Sequence, residues 1–319
     1  MINIKIIAKK AIGHACEKKL IFNGNNSDFL AVFVFHEVSD NPSQFILDHC
    51  LSSSISTFRT QIEWISENFD IIHPCEILSG KSMGRNQAVI TFDDGFAGVF
   101  ENALPILRDQ RVPSIVFLNM QPALERFPLL PAKIAYLSKY STYFNDFLAT
   151  KRISKPAFLY ASPQLIFEFE DKFGSTDNEL ILKYQGAFVD MDTLKRWDDS
   201  SLVIYGNHLF QHWNVRALSE LDLSEQFIMN RAALSQLDNA CDFFAFTYGQ
   251  KGICWNNRDV DFLLSLGAKA VFSSNGRTNS LASSRTLIDR IGLSEQDNTR
   301  SLLWFRLRQA VRASYGVVG

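Results

Sequence analysis

The chain has little of what would tie it to an oxidising compartment, a membrane interior or a nucleic acid. Its five cysteines, Cys16, Cys50, Cys75, Cys241 and Cys254, are odd in number, and no two form a C-x-x-C pair. That pattern argues against a disulfide frame or a zinc knuckle and suits buried thiols of a reducing compartment. No stretch approaches the ~20 consecutive apolar residues of a membrane span. The apolar start of the chain meets Lys9 and Lys10 before a signal-peptide core can form. The net charge of −2 offers no basic field for a nucleic acid. Neither an internal repeat nor a low-complexity tract is present. A cytoplasmic location is the resulting default.

What is present is material for a large α/β fold. A length of 319 residues, 46% hydrophobic and 21% charged, can build one big domain or two smaller ones. The 27 phenylalanines read as core filling, with a few near a site able to stack on sugars. Residues 4–22 read as a lysine-rich helix, followed by a loop at Asn23 to Asp28. Phe29 to Phe35 is a continuous apolar run, hence a buried strand, and it delivers His36 at its end. A helix is expected from Ser56 to Asn68, capped by Ser56 or Thr57, and a short strand at Asp70 to Ile72. A second buried strand, Ala88 to Phe92, ends on two aspartates, and a helix over Phe100 to Arg111 leads to a strand at Ser114 to Leu118. Residues 120–190 are rich in aromatics and read as a mostly helical insertion. The core resumes at Leu202 to Tyr205, with a helix over Leu218 to Leu237, strands at Phe243 to Phe246 and Ala270 to Ser273, and a helix over Val260 to Leu266 between them. Such alternation is the pattern of a parallel sheet with crossover helices, whose chemistry sits at the C-terminal ends of strands.

The chemistry-bearing residues fall at such ends. Thr91-Phe92-Asp93-Asp94-Gly95 closes one strand, and His208 and His212 follow another in Gly206-Asn207-His208-Leu209-Phe210-Gln211-His212. One carboxylate and two imidazoles make a three-ligand set that leaves a divalent metal open to water. The spare carboxylate is the base such a water needs. On an extended segment successive side chains point to opposite sides, so one aspartate can face a metal while its neighbour faces the reacting water. The residues alone therefore suggest a metal-dependent hydrolase.

Together these segments resemble the polysaccharide deacetylase family, the NodB-homology or carbohydrate esterase family 4 group. T-F-D-D-G stands intact at Thr91 to Gly95. H-[ST]-x-x-H is matched by His208 to His212, with Leu209 in place of the hydroxyl residue. F-x-x-P-Y-G is matched by Phe244 to Gly249, with Thr247 in place of proline. The resemblance covers roughly residues 30–120 and 190–275 and implies a distorted (β/α)7-type barrel, here with the helical insertion at 120–190 and terminal helices in a single domain. It implies Asp94, His208 and His212 as metal ligands, Asp93 as general base and the backbone N–H of Tyr248 as an oxyanion donor. The metal it implies is zinc, with Co2+ or Ni2+ as alternatives.

A leaving amine needs an acid, and histidine suits that role because its pKa lies near working pH. No histidine follows His212. The opening Phe35-His36-Glu37-Val38 resembles the circularly permuted branch, in which the first strand supplies the acid. His36 is therefore the candidate acid, against a reading as a hydrogen-bonded strand-end histidine. His14, His49 and His73 read as structural. The arginine that many relatives carry in the third motif is absent. Arg290 either replaces it or forms a surface salt bridge.

The expected activity is metal-dependent removal of N-acetyl groups from an amino sugar of a glycan or a lipid-linked glycan precursor. The alternatives are a carbohydrate-binding protein with a lapsed site and an amidohydrolase acting on a small cyclic amide. The basic, apolar tail Leu302 to Arg312 and the lysine-rich first helix either pack on the barrel, with their charges solvated, or give weak peripheral contact with the inner membrane face.

Overall fold

The computed structural model of the protein describes residues 4–18, 28–79, 86–153, 161–281 and 286–315. Eight strands form the central sheet: β1 (Phe29–Phe35), β2 (Gln87–Phe92), β3 (Ser114–Leu118), β4 (Val203–Asn207), β5 (Ala240–Ala245), β6 (Ala270–Ser273), β7 (Leu287–Asp289) and β8 (Ile291–Gly292). Neighbours pair in parallel from β1 through β7, and β8 pairs in parallel with β1. Only Arg290 separates β7 from β8, so this residue sits at the joint where the sheet comes close to closing on itself. The result is a barrel-like α/β fold of the expected class. Short strands at Asp70–Ile71 and Asn279–Ser280 extend the pairing beside β2 and β1.

Parallel strands covered on both faces are apolar throughout, and β1 and β2 are buried at every position. The period of two then divides their side chains. Leu30, Val32, Val89, Ile115, Phe117, Ile204, Phe243 and Phe272 fill the barrel interior. Phe33, Phe35, Ile90, Phe92, Val116 and Tyr205 face the surrounding helices.

Those helices are α1 (Ile4–Glu17), α2 (Gln44–His49), α3 (Ile55–Asn68), α4 (Leu104–Asp109), α5 (Met120–Glu125), α6 (Leu130–Tyr140), α7 (Thr142–Thr150), α8 (Pro163–Phe173), α9 (Asn178–Gln185), α10 (Met191–Arg196), α11 (Glu220–Leu234), α12 (Asn257–Ser265) and α13 (Arg300–Ser314). Among the described residues, α5 to α10 make up the insertion between β3 and β4. Several boundaries differ from expectation. The cap of α3 is Ser54, whose hydroxyl accepts the Thr57 N–H, rather than Ser56 or Thr57. The helix expected over Phe100 to Arg111 opens with a π-turn at Val99–Ala103, ahead of Pro105, which has no N–H for the usual bond to Glu101. The expected end of the first helix at 19–22 and the loop at 23–27 lie outside the described residues.

The tail is part of the core. α13 buries Leu302, Leu303, Leu307, Ala310 and Val311, and Trp304 meets Trp64 of α3 edge-on at 5.4 Å between ring centroids. Burial of this kind contributes about 1.5–3 kcal/mol per large apolar side chain. No described helix is long and apolar enough to cross a membrane.

Candidate metal and acid–base centre

The C-terminal ends of β1, β2 and β4 bring His36, Asp93, Asp94, His208 and His212 to one end of the barrel. Asp93 leaves β2 with its N–H bonded to the Phe35 carbonyl (3.0 Å), which ties the second strand end to the first. The chain then turns sharply. Asp94 has φ +73° and Gly95 has φ +118°. Leu209 and His212 both sit at φ +62°, so three of the seven non-glycine residues in this strained region, among those described, belong to the site.

Asp94 Oδ1 lies 3.0 Å from His212 Nε2 and 3.4 Å from His208 Nε2. One ligand atom from each of the three residues falls within 4.8 Å of the others, and all three residues are buried. Asp94 Oδ1 and His208 Nε2 nonetheless have no hydrogen-bond partner. Buried lone pairs converging without bonding to one another are what a cation site requires. The tautomer agrees. His208 Nδ1 lies 2.9 Å from the Ala245 carbonyl, which can only accept, so Nδ1 carries the hydrogen and Nε2 offers its lone pair inward. The residues therefore fit a divalent ion. Burial pushes the Asp94 carboxyl up, but the contacts with His208 and His212 outweigh it and hold the group well below the usual carboxylate range. Burial also lowers the His212 imidazole, which favours the neutral form a metal needs.

Asp93 faces the other way. Its two oxygens accept from both terminal nitrogens of Arg290, at 2.6 and 2.8 Å. Arg290 is fully buried, so the surface salt-bridge alternative does not hold. Its Nε donates to the Ser273 carbonyl (3.1 Å), a terminal nitrogen donates to Ser274 Oγ (3.2 Å), and its plane lies over the Phe117 ring. Burial raises the Asp93 carboxyl, and Arg290 and His208 more than offset it, so the group stays ionised. A bidentate clamp of this kind fixes the carboxylate's direction as well as its charge.

The two departures from the family pattern have packing explanations. Leu209 is fully buried among Trp213, Phe244, Phe246 and Trp255. A hydroxyl there would face an apolar cluster. Backbone anchoring of this turn comes instead from Asn119, whose amide donates to the carbonyls of His208 and Leu209. Thr247 Oγ1 donates to the Trp213 carbonyl at 2.6 Å, tying the third motif to the histidine loop.

A cavity of about 790 Å³ opens over the centre. His36, Asp93, Asp94, His212 and Tyr248 all line it, and the Tyr248 ring packs edge-on against His212 at 5.0 Å. His49, read as structural, lines it too. Its Nδ1 lies 2.9 Å from the Phe45 carbonyl, and its ring sits at the cavity wall. Nothing in the sequence pairs His49 with the motifs, because α2 carries it in from outside them. Arg290 carried a signal only as one charge in the short run Ile288-Asp289-Arg290-Ile291.

The family described as polysaccharide deacetylase matches residues 80–271. No curated protein sequence is matched. Among solved structures, the deacetylase PplD of Streptococcus pyogenes, in complex with acetate, is 13% identical with a TM-score of 0.59, covering 88% of this chain and 99% of that one. IcaB from Ammonifex degensii is 15% identical with a TM-score of 0.57, covering 88% and 98%. A de-N-acetylase from Aggregatibacter actinomycetemcomitans is 14% identical with a TM-score of 0.56, covering 87% and 100%. At such identities the structural likeness speaks to the fold.

Proposed function

The chain belongs to the polysaccharide deacetylase family, and from that premise we propose that it removes N-acetyl groups from an amino sugar of a glycan or glycan precursor, with one divalent ion, zinc first, held by Asp94, His208 and His212. The observation that carries the reading is the division of labour between adjacent aspartates. Asp94 turns toward the two imidazoles, while Asp93 is clamped by a buried guanidinium at the cavity floor.

When bound, the ion supplies Lewis acidity toward the acetyl carbonyl and toward water. Asp93 takes the proton of the attacking water. Arg290 keeps that carboxylate ionised and aimed, and the barrel joint keeps Arg290 in place. The backbone N–H of Tyr248 faces the oxyanion that develops on the acetyl oxygen. His36, which lines the same cavity, gives its proton to the departing amine. Acetate and a free amino sugar leave. The five free cysteines suit the reducing, cytoplasmic compartment in which we place the reaction.

The test is acetate release across a panel of acetylated amino-sugar oligomers, lipid-linked amino sugars and small cyclic amides, before and after treatment with a chelator. Release from the amino sugars, lost on chelation and restored by Zn2+, Co2+ or Ni2+, is the expected result. Bound sugar without acetate release would instead identify a binding protein, and turnover confined to the cyclic amides would move the activity to that class.

A further inference from the structure

The two terminal helices carry an unequal share of the charge. Within α1 and α13 stand Lys5, Lys9, Lys10, Arg300, Arg306, Arg308 and Arg312 against one acid, Glu17, in a chain whose net charge is −2. The helices cross at the C-terminal half of α1. There Gly13 and Cys16 are buried, and a Cβ on Gly13 would fall 1.7 Å from the Ser301 carbonyl oxygen. Only glycine permits so close a crossing. The N-terminal half of α1 is different, since every residue from Ile4 to Lys10 is exposed. Ile4, Ile6 and Ile7 show 79%, 43% and 53% of their surface to solvent, interleaved with Lys5, Lys9 and Lys10. Three exposed isoleucines in two turns are poorly explained by packing within the chain. Apolar side chains flanked by lysines match the surface of a bilayer with anionic headgroups.

The position of this half-helix adds a second observation. A groove of about 720 Å³ runs between α1 and α13, lined by Lys5, Ile6, Lys9, Lys10, Phe305 and Arg306 on the basic and apolar side. Glu295 and Asp297 line it as well. Glu295 already accepts from the Ser54 N–H and the Thr57 hydroxyl, and Asp297 lies 3.9 Å from Arg306. Arg306 and Gln309 line both this groove and the cavity over Asp93 and Asp94. The exposed end of α1 is thus continuous with the mouth of the candidate site.

We propose that the first two turns of α1 dock the protein on an anionic membrane surface, with Ile4, Ile6 and Ile7 among the lipid and Lys5, Lys9 and Lys10 at the headgroups, the cavity opening beside the bilayer. A substrate attached to a lipid would then reach the site without leaving the membrane. The docking itself does not depend on the reaction, and it is measured without substrate.

The experiment is co-sedimentation of the full chain with vesicles of phosphatidylcholine alone or mixed with phosphatidylglycerol. Binding to the mixed vesicles at low salt, weakened at high salt, is expected. The triple variant Lys5→Gln, Lys9→Gln, Lys10→Gln should partition roughly 100-fold more weakly, at roughly five-fold per lysine. A second variant, Ile4→Ser with Ile7→Ser, should also bind less, and its unchanged circular dichroism and melting midpoint would show that binding rather than folding is lost. The proposal is overturned if the wild-type chain stays in the supernatant with the anionic vesicles, or if both variants bind as it does. It is equally overturned if sedimentation velocity shows that the isoleucines are covered in a dimer of this chain.

Discussion

The strand ends of the barrel and the helical insertion are held together by different means. At the strand ends, directional bonds join buried polar groups. Asp93 has Arg290, His208 has the Ala245 carbonyl, Asn119 has the His208 and Leu209 carbonyls, and Asn230 donates to the Leu118 carbonyl and to Asn207. In the insertion, beside single bonds such as that of Lys133 to Glu170, the joints are mainly rings. Phe144, Phe147 and Phe173 pack around Phe169, and Tyr136, Tyr140 and Tyr184 pack on one another. Directional bonds fix atoms to within tenths of an ångström and fail completely when one partner is lost. Ring packing tolerates rearrangement and loses stability in proportion to the volume removed. One region is built to hold a geometry and the other to hold a shape, and substitutions should divide along that line.

The sharpest break should come within the aspartate pair and its neighbours. His212→Ala should strip the metal and abolish acetate release, as read by metal analysis of the purified protein. Asp93→Asn should keep the metal and lose about 10²–10⁴-fold in kcat, because an amide cannot take the proton. If Asp93→Asn lost the metal while Asp94→Asn retained it, the assignment of ligand and base would be inverted. Phe144→Ala, in the insertion, should do the opposite. It should lower stability by about 3–5 kcal/mol in denaturant titration and leave kcat of the folded fraction unchanged. A drop in kcat at full folding would show that the insertion shapes the site.

The smallest effect sharpens the comparison through pH. Glu37 follows His36 and is buried beside Gly98, where a Cβ would fall 1.7 Å from its Oε1. Burial pushes its carboxyl from an ordinary 4.5 up to about 7, against the backbone N–H groups of Val38 and Gly98. A raised carboxyl binds its proton more tightly in the folded state. The folded protein therefore loses stability as pH rises from about 4.5 to about 7, by about 3 kcal/mol from this group, and no further above that. Glu37→Gln should flatten that part of the stability–pH curve. An unchanged curve would mean that Glu37 is ionised and solvated in the folded protein.

What could be read from the sequence follows the same division. Asp93, Asp94, His208 and His212 were legible because each pair lies on one short segment after an apolar run, and strand ends converge in any parallel barrel. The strands from β1 to β6 and the helical insertion were legible from periodicity, whereas the short β7 and β8 were not. Arg290 was only half legible, since its partner lies 197 residues away and its neighbours, Asp289 and Ile291, do not say which way it faces. His49 was illegible because α2 lies outside every motif, and only packing turns it toward the cavity. The tail and the first helix looked alike as sequence, apolar and basic. Packing buries the apolar residues of α13 and leaves the first isoleucines of α1 in solvent.

The joint at Arg290 also sets an order on synthesis. A nascent chain that has reached β6 already has both aspartates and both histidines, yet it lacks the guanidinium that neutralises Asp93 and the two short strands that bring β6 toward β1. A buried carboxylate without its counter-charge costs several kcal/mol, so a half-made barrel is penalised at the very point where the proposed base will stand. The group that makes the first motif tolerable is thus made 197 residues after it, and the candidate site is complete only once β7 and β8 have joined the sheet.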